Sequence, residues 1–483
     1  MPNIALIMTN GPAAVALCGA ILSPPSSLLH NELLVTAYEA EDDGYVAEYA
    51  PLSHFSAAAA KPLDIALVST SPPRQCGIAT FTSDLLEAMQ TADPRAHFSW
   101  AAIDEEHSNH TYDAQVRWRI RQRHPDSYER AASEINASNV DLVSVQHEFG
   151  LYGIWGETFE DHLAPFLETL TRPLVTTLHT TLPDPSPSVK EAVRRIGSHS
   201  QALVVMAHRA RTILEQEYAI DPTKIHVIPH GVPLTEPHGR QCVKQRLGLL
   251  DRSIISTFGL VSPRKGLEYM VRAMADVIRT HPDALYLIIG KTHPELVRYE
   301  GEAYRTQLTA LVHACGLDRH VSFVDEYLSQ RDIVDYLLAS DVYVTPYLDQ
   351  NQITSGTLAY ALGAGKAIVS TPYLYASEVL ADGRGILVDF RSERGLADGV
   401  LRILDDHELK HQLERDAYEY GRRMAWPCVG KQVVELLREI SSEAKGNACQ
   451  CIASLPAREP HVVPDGKPSI PTAAVALAGT SDR

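Results

Sequence analysis

The stretch SIISTFGLVSPRKGLEYMVRAMADVI, residues 253–278, reads as a strand, a turn and a helix in succession. Ser253 to Gly259 is a short apolar run with the β-branched content of a buried strand. Gly259-Leu260-Val261-Ser262-Pro263-Arg264-Lys265-Gly266 then gives a turn that carries two adjacent cations. Beyond it Leu267, Met270, Val271, Met274, Val277 and Ile278 recur at three- and four-residue spacing, which lays one apolar helix face on a sheet. Packing alone accounts for those six residues.

The same alternation extends in both directions. Downstream come LYLIIG (285–290), VSFV (321–324), VYVTP (342–346), AIVST (367–371) and GILVDF (385–390). Upstream come IALVST (65–70), VDLVSVQ (140–146), PLVTTLH (173–179), ALVVMA (202–207) and IHVIP (225–229), with helical segments between them. Such alternation builds parallel sheets, and the polar, Pro-containing stretch 233–245 divides it in two. The expected fold class is α/β, with two Rossmann-like doubly wound domains facing one another across a cleft. The expected layout is an N-terminal extension over 1–60, a first domain over 61–235 and a second over 246–405. Helices over 406–444 are expected to pack back toward the first domain, followed by an Ala-, Pro- and Ser-rich tail over 445–483, expected to be disordered.

Composition narrows the function. The chain of 483 residues is 45% apolar and 21% charged, which is ordinary globular usage and enough for two cores. A net charge of -17 from dispersed Asp and Glu argues against a nucleic-acid partner and against a polybasic membrane-binding surface, although peripheral membrane contact is left open. The seven Cys are scattered, with no Cys-x-x-Cys pair, so we expect reduced thiols in a cytoplasmic protein. The start, MPNIALIMTNGPAAVALCGAILSPPSS, is apolar but lacks a basic head and is broken by Asn10, Gly11 and Pro12. Neither a secretion signal nor an integral membrane segment is expected.

In open α/β sheets ligands bind at the carboxyl ends of the strands, so the loops after the strands hold the candidates. In the first, Ser71 to Thr80, Gly77 allows close backbone approach before a helix N-terminus, although a tight turn needs such a glycine anyway. In the second, Lys265 offers a point charge and Arg264 a bidentate fork to a diphosphate at a helix entry, whereas exposed Lys and Arg are usually just solvated. In the third, Pro346 to Gly365, Ser355, Gly356 and Thr357 offer N–H groups and hydroxyls at a helix start, much of which a plain cap would explain. In the first domain His147, Glu148 and His179 stand at strand ends. Zinc is the alternative for that trio, but the closely spaced ligand pairs it favours are missing, so no metal is expected. Glu378 follows another strand end and either touches a ligand or simply begins a helix.

At this point the chain from Lys61 to about Ile440 resembles family 4 of the retaining glycosyltransferases, which have the GT-B fold. Ile228-Pro229-His230-Gly231-Val232 resembles that family's Ile-Pro-Asn-Gly-Val segment, and Phe258 to Gly266 its diphosphate loop. Ser340 to Pro346 resembles the strand leading to the donor, and Gly365-Lys366-Ala367-Ile368-Val369 its Gly-x-Pro-Val-Val. The family's Glu-x7-Glu pair falls on Gln352 and Tyr360, and Leu260 replaces its arginine.

The resemblance implies a metal-independent hexosyltransferase, a mannosyl- or glucosyltransferase of carbohydrate biosynthesis. No cofactor is implied beyond a nucleotide-sugar donor, GDP-mannose or UDP-glucose, and the acceptor would be a carbohydrate or other hydroxyl compound. It implies His179 and Gln352 as catalytic residues, with His147 and Glu148 on the acceptor side. Donor binding falls on Gly77, Arg264, Lys265, Asn351, Gln352, Thr354, Ser355, Gly356, Thr357, Tyr360 and Glu378. A nucleotide-sugar epimerase of the same architecture and a catalytically silent sugar-nucleotide-binding protein are the alternatives.

Overall fold

The computed structural model describes residues 62–453 except 107, 157 and 238. Every strand expected from the apolar runs is present. The first sheet is entirely parallel and has the order β3-β2-β1-β4-β7-β8-β9. Its strands are β1 (Asp64–Ser69), β2 (His97–Asp104), β3 (Val116–Arg121), β4 (Leu142–His147), β7 (Leu174–Leu178), β8 (Ala202–Val205) and β9 (Ile225–Val227), and a small antiparallel hairpin inserts β5 (Gly153–Trp155) and β6 (Phe159–Asp161). The second sheet, also parallel, has the order β12-β11-β10-β13-β14-β15, with β10 (Ser253–Phe258), β11 (Ala284–Ile289), β12 (Val321–Val324), β13 (Val342–Thr345), β14 (Ile368–Ser370) and β15 (Ile386–Leu387).

The sequence reading did not find β2 and β3. In β3, VRWRIR, only Trp118 and Ile120 are buried and three arginines alternate with them, so the strand lacks the continuous apolar run that marks the others. It occupies the sheet edge, with its arginines exposed to water.

Each sheet grows outward in two directions from one central strand, β1 in the first and β10 in the second. A crevice therefore opens where neighbouring loops leave in opposite directions, at the carboxyl ends of β1 and β4 and again of β10 and β13. The loops singled out in the sequence leave from these ends.

The chain passes between the domains twice at one place. Val232 N–H donates to Met424 O at 2.8 Å and Trp426 N–H donates to Val232 O at 2.9 Å. Gly231 is required here, since a Cβ on it would stand 2.1 Å from the Trp426 ring. The helix Trp426–Ala453 then lies on the helix Gly77–Ala92, burying Val433, Leu436, Leu437 and Ile440 against Phe81, Leu85 and Met89. An Arg438–Asp93 ion pair and a Lys445–Asp141 pair at 3.0 Å extend the seam.

This helix corrects the tail boundary at Lys445, because it continues to Ala453. The composition beyond Lys445 lacks helical periodicity, but no proline follows until Pro456, and the single Gly446 costs a helix only about 1 kcal/mol. The rest of the tail, and the extension over 1–60, lie outside the described residues. No helix among the described residues is long and apolar enough to cross a membrane.

Candidate active site

The two loops of the second domain meet. Gly259, at φ 128°, comes so close to Thr357 that a Cβ would stand 3.0 Å from its methyl group. Gly266, at φ 59°, closes the loop against Pro346 O, where a Cβ would sit at 2.3 Å. Between them Lys265 turns inward, its Nζ 3.7 Å from the centroid of the Tyr347 ring. Tyr347 Oη and Thr357 Oγ1 share a hydrogen bond of 2.7 Å, and Ser355 Oγ lies 3.2 Å from Thr357 Oγ1 while accepting Leu358 N–H at 3.3 Å. Burial pushes the Lys265 ammonium down from 10.5 to about 7. A cation so poorly hydrated has a strong preference for an anionic neighbour.

Lys265, Ser355, Gly356 and Thr357 thus converge at the start of the helix Gly356–Gly363, whose first N–H groups have no partner within the helix. Arg264 points to solvent, and its carbonyl oxygen accepts Leu348 N–H at 2.9 Å. Asn351 is exposed, its N–H donating to Asp349 Oδ1 at 3.0 Å. The Gln352 side chain folds back, Nε2 donating to Thr354 O at 3.0 Å. Gly77 is exposed, with open space where a Cβ would be, at the start of a helix capped by Cys76 Sγ.

Two candidates stand apart from this cluster. Both oxygens of Glu378 accept N–H groups of the opposite domain, from His208 and Arg209 at 2.8 Å each. Glu378 therefore caps the helix His208–Tyr218 and bridges the domains, and it is not placed among the donor candidates. The Tyr360 hydroxyl lies 3.3 Å from Asp84 Oδ2 and from Gln330 Nε2, and Gln330 Nε2 also donates to Asp84 at 2.9 Å. Burial raises the Asp84 carboxyl to about 6.

On the first domain His179 is buried, and burial holds it down at about 3, so it is neutral. Its Nε2 donates to Gln146 Oε1 at 3.0 Å, which leaves Nδ1 as an acceptor. His147, likewise held down at about 3 by burial, stacks on Tyr152. The oxygens of Glu148 accept Phe149 N–H at 3.0 Å and the Thr180 hydroxyl at 2.7 Å, while burial raises its carboxyl. Gln146 Nε2, His147 Nδ1 and Thr181 Oγ1 are buried with no hydrogen-bond partner among the described residues. Orphaned polar atoms at strand ends are what a polar ligand would satisfy.

The sequence reading did not find the bridge between the two halves. Phe81 packs edge-on against His179, at 4.8 Å between centroids, and against His230, at 5.0 Å. His230 Nδ1 donates to Gly231 O at 2.7 Å, and its Nε2 closes on Gly356 so tightly that a Cβ there would stand 2.8 Å away. The only signal for His230 was its place in the Ile-Pro-Asn-Gly-Val-like segment; for Phe81, Asp84 and Gln330 there was none.

Two such doubly wound domains, with a cationic cluster at a helix start in one and buried neutral histidines in the other, have the architecture of the GT-B fold. Residues 77–236 match the family model Glycosyltransferase Family 4, and residues 243–420 match Glycosyl transferases group 1, so both halves are present in order. A D-inositol 3-phosphate glycosyltransferase of Nocardioides is 25% identical over 293 residues, covering 56% of this chain and 63% of its own. A GDP-mannose-dependent phosphatidylinositol monomannoside mannosyltransferase of Corynebacterium glutamicum is 22% identical over 52% of this chain and 66% of its own. The chain thus spans less than two thirds of the length of these relatives. Among solved structures, Anabaena HepE with UDP and glucose superposes at a TM-score of 0.60 with 16% identity, over 78% of this chain and 100% of that one. Sucrose-phosphate synthase of Thermosynechococcus elongatus gives 0.62 with 16% identity, over 79% and 100%.

Proposed function

We propose that the protein transfers a hexose from a nucleotide-diphosphate sugar to an acceptor hydroxyl with retention of anomeric configuration. The observation that carries this reading is the cluster of Lys265, Tyr347, Ser355 and Thr357 at the helix start, where a diphosphate would meet one cation, three hydroxyls and free N–H groups. No metal is required in this scheme, since these groups take up the leaving-group charge. The sugar lies toward His179 and Gln352, and the acceptor toward His147 and Glu148. The anomeric C–O bond to phosphate breaks while the acceptor C–O bond forms on the same face. The acceptor proton passes to the departing phosphate oxygen, so no protein nucleophile is needed. GDP-mannose and UDP-glucose are the donors to test first; the name of the Corynebacterium relative supports the former.

A second reading, donor binding without turnover, is favoured by two observations. The Gln352 amide is bonded to its own loop, and the Tyr360 hydroxyl is committed to Asp84. A thermal-shift panel of UDP, GDP, ADP and their hexose conjugates, followed by an assay of nucleotide release, separates the two. Stabilisation with release supports transfer, stabilisation without release supports the silent binder, and no stabilisation by any nucleotide contradicts both.

A further inference from the structure

Gln146 and His179 come from neighbouring parallel strands, Gln146 near the carboxyl end of β4 and His179 directly after β7. Both are buried, Gln146 completely. The backbone sets the pair: His179 N–H donates to His147 O at 3.0 Å, and the Tyr152 hydroxyl bridges the carbonyl oxygens of Gln146 and Val68 at 2.9 Å each. Phe81 packs edge-on against the imidazole, at 4.8 Å between centroids. The two side chains then meet through one bond, His179 Nε2–H to Gln146 Oε1 at 3.0 Å. Packing holds the ring in place, and one amide oxygen selects its tautomer.

A histidine that takes up a proton is commonly oriented by a carboxylate, whose negative charge stabilises the imidazolium. An amide oxygen gives the same orientation with no charge. Burial holds His179 at about 3, and the neighbouring His230 and His147 lower it further. Those two histidines are themselves kept neutral by burial, at about 4 and about 3. No carboxylate among the described residues offsets this desolvation. With Nε2–H committed and the ring uncharged, Nδ1 keeps a lone pair, and it has no partner among the described residues. It can accept a hydrogen bond from a ligand hydroxyl and cannot donate one.

We infer that Gln146 is a positioning residue, which fixes His179 as the Nε2–H tautomer so that the Nδ1 lone pair receives a hydroxyl of the ligand. That this hydroxyl belongs to the transferred sugar rests on the transfer proposed above. The test is long-range nitrogen–proton NMR of the full chain carrying isotopically labelled histidine, with the His179 signals assigned from a His179→Gln variant. The neutral Nε2–H form is expected in the wild type between about pH 6 and pH 8. Gln146→Glu keeps the accepting oxygen and adds a charge, so His179 should become an imidazolium in the lower part of that range, and turnover should gain a pH dependence the wild type lacks. Gln146→Leu removes the oxygen at similar volume and should lower kcat for nucleotide release by about tenfold or more, with KM for the donor within about a factor of two. A wild-type His179 protonated on Nδ1, a His179 spectrum unmoved by Gln146→Glu, or a Gln146→Leu variant that turns over as fast as the wild type overturns the inference. If the wild type releases no nucleotide at all, the transferase reading fails, while the spectra still decide the tautomer and what fixes it.

Discussion

Replacing Lys265 by methionine keeps the apolar stem over Tyr347 and deletes the charge. The ammonium sits 3.7 Å from that ring, and burial has pushed it from 10.5 to about 7. A shift of that size means about 3 to 5 kcal/mol of unfavourable desolvation in the unliganded protein. The variant should therefore melt no lower than the wild type at pH 8. A bound diphosphate reverses the sign. Loss of a charge-assisted contact costs about 1.5 to 3 kcal/mol, or roughly 10- to 150-fold in nucleotide-sugar affinity. Since unliganded Lys265 gives up its proton near pH 7, wild-type affinity should decline as pH rises from 7 to 9, by at most about tenfold per pH unit, and the variant should show no such decline. Calorimetry with UDP-glucose and GDP-mannose is the assay, because their diphosphates do not titrate in this range. Unchanged affinity in the variant, or a wild-type affinity independent of pH, would refute the placement of the diphosphate.

Glu378→Ala should lower stability by about 0.5 to 2 kcal/mol in chemical denaturation, because two helix N–H groups lose their acceptor, with nucleotide affinity unchanged. Gly231→Ala drives a methyl into the Trp426 ring and should cost about 2 kcal/mol or more, read as a lower melting temperature. Asp84 has a folded value of about 6 above an ordinary 3.8, so the folded state holds the proton more tightly and stability falls as pH rises through that window. Asp84→Asn should therefore melt higher than wild type at pH 7, with the difference closing toward pH 4. His179→Ala should reduce nucleotide release by about a hundredfold while leaving nucleotide affinity within a factor of two, a split that steady-state kinetics and calorimetry would resolve.

The fold was legible because its central strands are continuous apolar runs, and β1 and β10 sit among other strands on both sides. The edge strand β3 escaped because half of it faces water and carries arginine. The loop Gly259 to Gly266 was legible for a similar reason, since two cations after a core strand stand out in sequence. Their division of labour was not: Lys265 turns inward because Gly266 and Pro346 fold the loop over Tyr347, while Arg264 is left outside. Contacts between residues distant in the chain were invisible. Glu378 reads in sequence as a donor contact or a helix start, and becomes an interdomain cap only when the opposite domain brings the N–H groups of His208 and Arg209 to it. Asp84 and Tyr360, 276 residues apart in the chain, meet only across the domain gap.

The most direct test of the central claim follows the anomeric carbon. The protein is incubated with GDP-mannose or UDP-glucose and a panel of carbohydrate acceptors, and the product is read by proton NMR together with release of the nucleoside diphosphate. The account requires an α-linked product from the α-linked donor, with one nucleoside diphosphate released for each bond formed. A β-linked product would contradict retention, and tight donor binding with neither product nor nucleotide release would contradict transfer itself.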